Sequence, residues 1–162
     1  VSHLSCGIDI PKPYLVTHPG SGGSHKTWPV ERFAAACGLL STQTNVVVSS
    51  GPADDARMAE MRRLLPDAAY PDPLALDKLA HLYGCASLYI GNDSGPTHLA
   101  AATGIPTIAL FGPTDPAVWG PVGKQVYIVE GDRSLPSTER LASIEIDSIL
   151  ELANQLISQE IH

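Results

Sequence analysis

One stretch constrains this chain more than any other: Gly91-Asn-Asp-Ser-Gly-Pro-Thr-His-Leu-Ala-Ala-Ala-Thr-Gly-Ile-Pro-Thr-Ile-Ala-Leu-Phe-Gly-Pro113. Leu88-Tyr89-Ile90 before the turn reads as a short buried strand, and Thr107 to Phe111 reads as another. Between them, Thr97 to Thr103 leaves room for barely two helical turns. Pro96 suits the first helical position, where its missing N–H costs nothing. Gly104 followed by Ile105-Pro106 is a stop signal. Strand, sharp turn, short helix and strand together make a compact parallel crossover unit.

The turn is where chemistry could sit. With Pro96 at the first helical position, Gly95 is the expected N-cap, and it has no side chain to satisfy the N–H groups of Thr97 and His98. Those donors and the helix dipole suit an anion, and Gly95 lets a phosphate come close. The Ser94 and Thr97 hydroxyls would add donors on the same side. The competing reading is an ordinary βα turn whose orphan groups are met by water.

The rest of the chain repeats the alternation. Tyr14 to His18 is the first expected strand, followed by the glycine-rich loop Pro19-Gly-Ser-Gly-Gly-Ser-His-Lys-Thr-Trp28. Pro29 opens a helix to about Leu40 that carries Phe33, Ala36, Cys37 and Leu40 inward. Asn45 to Ser50 is a buried-type strand, and Ala53 to Leu65 a helix with Met58, Met61, Leu64 and Leu65 inward. A weak strand is expected near Ala68 to Tyr70, then a helix from Leu76 to Tyr83 with Leu76, Leu79, Ala80 and Tyr83 on one face. After the central unit come a strand at Gln125 to Val129 and a closing helix at Ile146 to Ile157. Residues 1–13 read as an arm or linker and 14–162 as one domain.

This pattern specifies an α/β fold with a doubly wound parallel sheet. Right-handed crossovers place every strand's C-terminal end on one edge. That edge would collect His18-Pro-Gly20, Ser49-Ser-Gly51, Gly91-Asn-Asp93 and Phe111-Gly-Pro113. With the common strand order 3-2-1-4-5-6, the loops 19–28 and 92–98 face one crevice. Lys26 would then reach an anion held at Gly95.

Composition narrows the partners. The 162 residues suffice for one ordinary domain, and a formal net charge of −7 argues against a nucleic-acid surface. No apolar run is long enough to span a membrane, and the first residues do not read as a signal peptide. The absence of an initiator Met suggests a fragment. Cys6, Cys37 and Cys85 lack metal-like spacing; the last two fit reduced core positions, as expected in a cytoplasmic protein.

Gly20 to Thr27 nearly spells the P-loop G-x-x-x-x-G-K-[ST], but His25 stands where the second glycine must let the backbone wrap the phosphates. A P-loop NTPase would need Mg²⁺-dependent hydrolysis of ATP, which Lys26→Ala should abolish. A stand-alone nucleotide-sugar binding module is a further alternative.

His18 to Pro29, Gly91 to Ala102, Leu110-Phe-Gly-Pro-Thr-Asp-Pro116 and Trp119-Gly-Pro121 together resemble the C-terminal half of glycosyltransferase family 9, the ADP-heptose:lipopolysaccharide heptosyltransferases. The likeness covers roughly residues 14–160. It implies the Rossmann-like C-terminal domain of a GT-B fold, which binds the nucleotide-sugar donor. By this likeness Lys26 neutralises the donor diphosphate, Ser21 and Gly22 line the same loop, and Ser94, Gly95, Thr97 and His98 hold phosphate or sugar oxygens. Asp93 accepts from sugar hydroxyls, pairs with Lys26 or braces the turn. Asp54 or Asp55 reaches the ribose or base, and Leu74 packs on the base. His18, Trp28 and Trp119 are structural.

The resemblance implies no obligatory cofactor and no protein metal site, although Mg²⁺ could accompany the diphosphate. The acceptor site and general base would belong to an N-terminal half absent from this sequence. The full protein could contact the cytoplasmic face of the inner membrane. Residues 1–162 alone are expected to bind donor weakly and to transfer no sugar.

Overall fold

Apolar runs bounded by glycine and proline form the strands, and the 3.6-residue patterns between them form the covering helices. The computed structural model describes residues 9–20, 27–51 and 55–160. In order, the elements are β1 (Tyr14–His18), α1 (Val30–Leu40), β2 (Asn45–Val48), α2 (Asp55–Leu64), α3 (Leu76–Gly84), β3 (Leu88–Asn92), α4 (Gly95–Thr103), β4 (Thr107–Phe111), α5 (Pro116–Trp119), β5 (Val126–Glu130) and α6 (Ile146–Glu160).

The strands form one five-stranded sheet in the order β2-β1-β3-β4-β5, with every pairing parallel. The weak strand expected near Ala68 to Tyr70 is reduced to a single parallel bridge, Val47 to Ala69. Counting that bridge as the third strand recovers the expected 3-2-1-4-5-6 order. His18 pairs in register with Gly91, so β1 and β3 end side by side where the order reverses. Ligands of open α/β sheets bind at this kind of position, outside the strands' carboxyl ends.

Side-chain alternation divides the core between two faces. Leu15, Val46, Val48, Leu88, Ile90, Ile108 and Leu110 point into the larger cluster with residues of α1, α2 and α6. Tyr14, Val16, Val47 and Tyr89 point into the smaller one, under α3 and α4. Trp28 packs edge-on to Phe33 with ring centres 5.0 Å apart, and its indole N–H donates to the Ile144 carbonyl at 3.1 Å. Cys37 is buried and reduced, and burial pushes its thiol up to about 12.

Several expectations shift. β3 continues through Asn92, because buried Asn92 finds polar partners inside the protein. α3 buries Leu82 and Tyr83, while Leu76 is 71% exposed at its open first turn. Trp119 is 61% exposed on the one-turn α5 instead of packing. Cys85 is half-buried at the end of α3, with its sulfur 3.7 Å from His81 Nε2. Gly104, at φ +90°, closes α4 in the left-handed conformation. Of the expected 1–13 arm, residues 1–8 lie outside the described residues.

Candidate functional site

The carboxyl edge brings the two glycine-rich exits together. Asn92, the last residue of β3, is fully buried and holds both shoulders of the first loop. Its Nδ2 donates to the Pro19 carbonyl at 3.1 Å, and its Oδ1 accepts from the Trp28 N–H at 2.8 Å. One carboxamide thus uses its donor and its acceptor to fix where the 19–28 loop leaves and rejoins the body. Lys26, Ser21 and Gly22 lie outside the described residues, but the roots of their loop stand directly beside Asp93-Ser94-Gly95. Asp54 also lies outside them. Asp55 is the first residue of α2.

At the start of α4 the cap moves by one residue. Ser94, extended at φ −161° and ψ 167°, takes the capping position, and Gly95 and Pro96 are already helical. Gly95 is therefore not the N-cap; its small size lets the helix begin directly after an extended residue. The Ser94 side chain makes no capping bond, and the first turn carries no acidic residue. With the cap at Ser94, the His98 N–H bonds the Ser94 carbonyl at 3.3 Å and is not the free donor expected, so the amides of Gly95 and Thr97 are those the first turn leaves without a side-chain cap. A methyl group added at Gly95 would meet nothing within 4 Å, so the approach there is clear. His98 is exposed on the same turn.

Thr97 is placed differently from the expected phosphate or sugar contact. It is fully buried, and its hydroxyl donates to the Asn92 carbonyl while meeting the Tyr89 hydroxyl at 3.1 Å. Its side chain braces the turn from below. Asp93 is half-buried and its Oδ2 accepts from the Thr114 hydroxyl at 2.5 Å, which ties the β3 exit to the β4 exit. The bracing role is the one its described contacts fill. Leu74 is half-buried against the smaller core cluster, so the face it lends to the core is not offered to a base.

Several residues at this edge escape sequence reasoning. Asn92 is one, because a lone polar residue after an apolar run reads as an interruption. Arg57 of α2 is another: its Nη1 reaches the Pro19 carbonyl at 3.4 Å, sharing that acceptor with Asn92. Ser49, Tyr83 and Tyr89 form a third group under the turn. Burial pushes the Tyr83 phenol up to about 12 and the Tyr89 phenol well above its ordinary value. Both therefore act as neutral hydrogen-bonding groups.

Gly91 makes room for this arrangement. A Cβ there would fall 2.5 Å from the Tyr89 hydroxyl, with two ring atoms within 2.8 Å. A cavity of about 490 Å³ lies at the opposite edge, lined by Ser41, Thr44, Asn45, Leu65 and Asp67 among others. It lacks convergent amides and cations, so the chemistry favours the carboxyl edge. Among the described residues, no group of three or more His, Cys, Asp or Glu could hold a metal, and no helix is long and apolar enough to cross a membrane.

The chain is similar to known proteins in both sequence and fold. The profile of glycosyltransferase family 9 (heptosyltransferase) matches residues 3–146. Lipopolysaccharide heptosyltransferase 3 of Escherichia coli is 32% identical over 135 residues, covering 78% of this chain and 40% of that protein. The structure of E. coli ADP-heptose LPS heptosyltransferase II superimposes with a TM-score of 0.82 at 25% identity, over 93% of this chain and 48% of that one. E. coli heptosyltransferase WaaC with ADP shares the fold, with a TM-score of 0.75 at 22% identity, over 91% and 46% of the two chains. The chain thus spans about half, or less, of the length of the proteins it matches. It belongs to glycosyltransferase family 9, the heptosyltransferases.

Proposed function

We propose that this chain is the nucleotide-sugar donor-binding half of an inverting heptosyltransferase of lipopolysaccharide core assembly, with ADP-heptose as donor. The observation that carries this reading is the Asn92 clamp, which sets the roots of the Lys26 loop against the uncapped start of α4 in a chain of this family. The diphosphate lies across that junction. The α4 amides and the Ser94 hydroxyl bond its oxygens, Lys26 neutralises its charge, and His98 flanks it. Ser21, Gly22 and Asp54 complete the donor contacts.

Catalysis in this half is leaving-group stabilisation. As the bond from the anomeric carbon to the diphosphate breaks, negative charge grows on the oxygen that departs, and donors already in place need no reorganisation. Losing one such donor in other enzymes costs about 10²–10³ in rate. The acceptor site and the base that takes the acceptor proton belong to an N-terminal half outside this sequence. Lacking them, residues 1–162 transfer no sugar. Asp93 serves as a brace to Thr114, and Mg²⁺, if it accompanies the diphosphate, is carried by the ligand.

Calorimetric titration with ADP, UDP and GDP tests the reading. It predicts preferential binding of ADP, weakened by Lys26→Ala and by Gly95→Ala. The second variant has open space for its methyl group, so any loss of binding reports on the ligand and not on the fold. Equal, feeble responses to all three nucleotides would contradict it.

A further inference from the structure

Two side chains from different elements converge on one main-chain oxygen at the entry to the first loop. Asn92 Nδ2 donates to the Pro19 carbonyl at 3.1 Å and Arg57 Nη1 at 3.4 Å. Both donors come from the same side of the sheet. Asn92 continues the alternation of Leu88 and Ile90, whose side chains enter the larger core cluster with residues of α1, α2 and α6. Arg57 belongs to α2, which packs Met58 and Met61 into that cluster. A carbonyl oxygen has two lone pairs, and both are engaged on this side. The Pro19 oxygen is therefore held toward α1 and α2.

The direction of the next N–H follows. A peptide unit is planar, and in the trans form its N–H points opposite to its C=O. The Pro19–Gly20 bond is trans, so the Gly20 N–H points to the other face, the one covered by α3 and α4. Gly20 and Asp93 each lie two residues beyond the His18–Gly91 pair, which sets this amide beside the turn that opens α4. Pro19 and Gly20 are buried, and no hydrogen bond among the described residues uses the Gly20 N–H. Buried amides nearly always find an acceptor, and a phosphate oxygen would supply one.

We propose that Arg57 is a positioning residue of the diphosphate site: with Asn92 it fixes the Pro19–Gly20 peptide so that the Gly20 N–H donates to a phosphate oxygen beside the amides of Gly95 and Thr97. The guanidinium acts through the peptide and not on the ligand. Its charge-assisted donor holds the carbonyl and keeps the peptide from turning over. The ligand half of this inference rests on the donor-binding reading; the orientation of the peptide does not.

NMR and calorimetry on the 162-residue chain test it with Arg57→Leu, a change at a half-buried position that leaves both Asn92 bonds in place. Arg57→Ala serves if that variant fails to fold. Without ligand, the Pro19 carbonyl ¹³C resonance should move upfield in the variant, as for a carbonyl that loses a donor. A resonance that stays where it was would overturn the orienting role.

On saturation with ADP, the Gly20 amide proton of the parent should move downfield, as for an N–H that gains an anionic acceptor. That movement should shrink in Arg57→Leu. ADP binding should weaken roughly three- to tenfold, the scale of one hydrogen bond, while adenosine binding stays the same. Weakened ADP with the Gly20 movement intact would make Arg57 a direct cation for the phosphate and refute the positioning role. Equal loss for ADP and adenosine would refute it too, as a fault of the fold. A parent that ignores ADP would instead sink the donor reading and the ligand half with it, with the peptide's orientation still decided by the Pro19 resonance.

Discussion

Asn92 at the end of β3 and Asn45 at the start of β2 each hold two main-chain groups with one carboxamide. Asn92 spans the Pro19 carbonyl and the Trp28 N–H, while Asn45 Nδ2 reaches the Pro11 and Pro13 carbonyls at 2.8 and 3.2 Å. The first is fully buried and the second is exposed. Water can replace Asn45 at low cost, whereas a buried N–H has no substitute partner. The same residue type therefore fixes geometry at the carboxyl edge and only tidies the chain at the other. The carboxyl edge is where the family's donor chemistry would need fixed geometry.

The comparison can be broken from either side. The largest expected effect is Gly91→Ala, whose methyl group would overlap the buried Tyr89 ring and hydroxyl. About 3 kcal/mol of destabilisation, at the top of the usual overpacking range, should appear in denaturant unfolding. Asn92→Ala should cost about 2 kcal/mol by stranding the Trp28 N–H, and should raise hydrogen exchange at Thr27 and Trp28. A change near zero at either position would mean that the carboxyl edge tolerates rearrangement as readily as its opposite.

Alkaline pH sharpens the contrast more gently. Burial raises the Tyr83 phenol from 10.0 to about 12, and Tyr89 shifts the same way. The folded protein thus keeps protons that the unfolded chain releases. Their contribution is complete below about pH 10, and it is lost as pH rises through about 12. Unfolding midpoints followed from pH 8 upward should fall over that window, and less so in Tyr83→Phe. The smallest effect is expected from Asn45→Ala, within about 0.5 kcal/mol of the parent. A loss as large as that of Asn92→Ala would erase the distinction between the edges.

The fold was legible because its signals are local and repeated. Apolar runs closed by Gly51, Gly91 and Gly104, and helices opened by Pro29 and Pro96, fall within a few residues of the observed elements. The strand order assumed from the common doubly wound pattern is the one observed, with the weak third strand surviving as the Val47–Ala69 bridge. Of the candidate site, only the meeting of loops at one sheet edge was legible. Sequence spacing brings loops to one edge but does not say which way a side chain turns there. Thr97 looked like a ligand donor and faces inward to Tyr89 and Asn92, while Asn92 and Thr114 hold the exits together across distances of 64 and 21 residues in sequence. Such pairings are tertiary, and no local pattern announces them.

The central claim is that the first loop and the start of α4 form one diphosphate site. Hydrogen–deuterium exchange of the chain with and without saturating ADP tests it most directly. The account predicts new protection at 19–28 and 93–98 together, with the cleft around Ser41, Asn45 and Asp67 unchanged. Protection confined to that cleft, or to only one of the two segments, would contradict it.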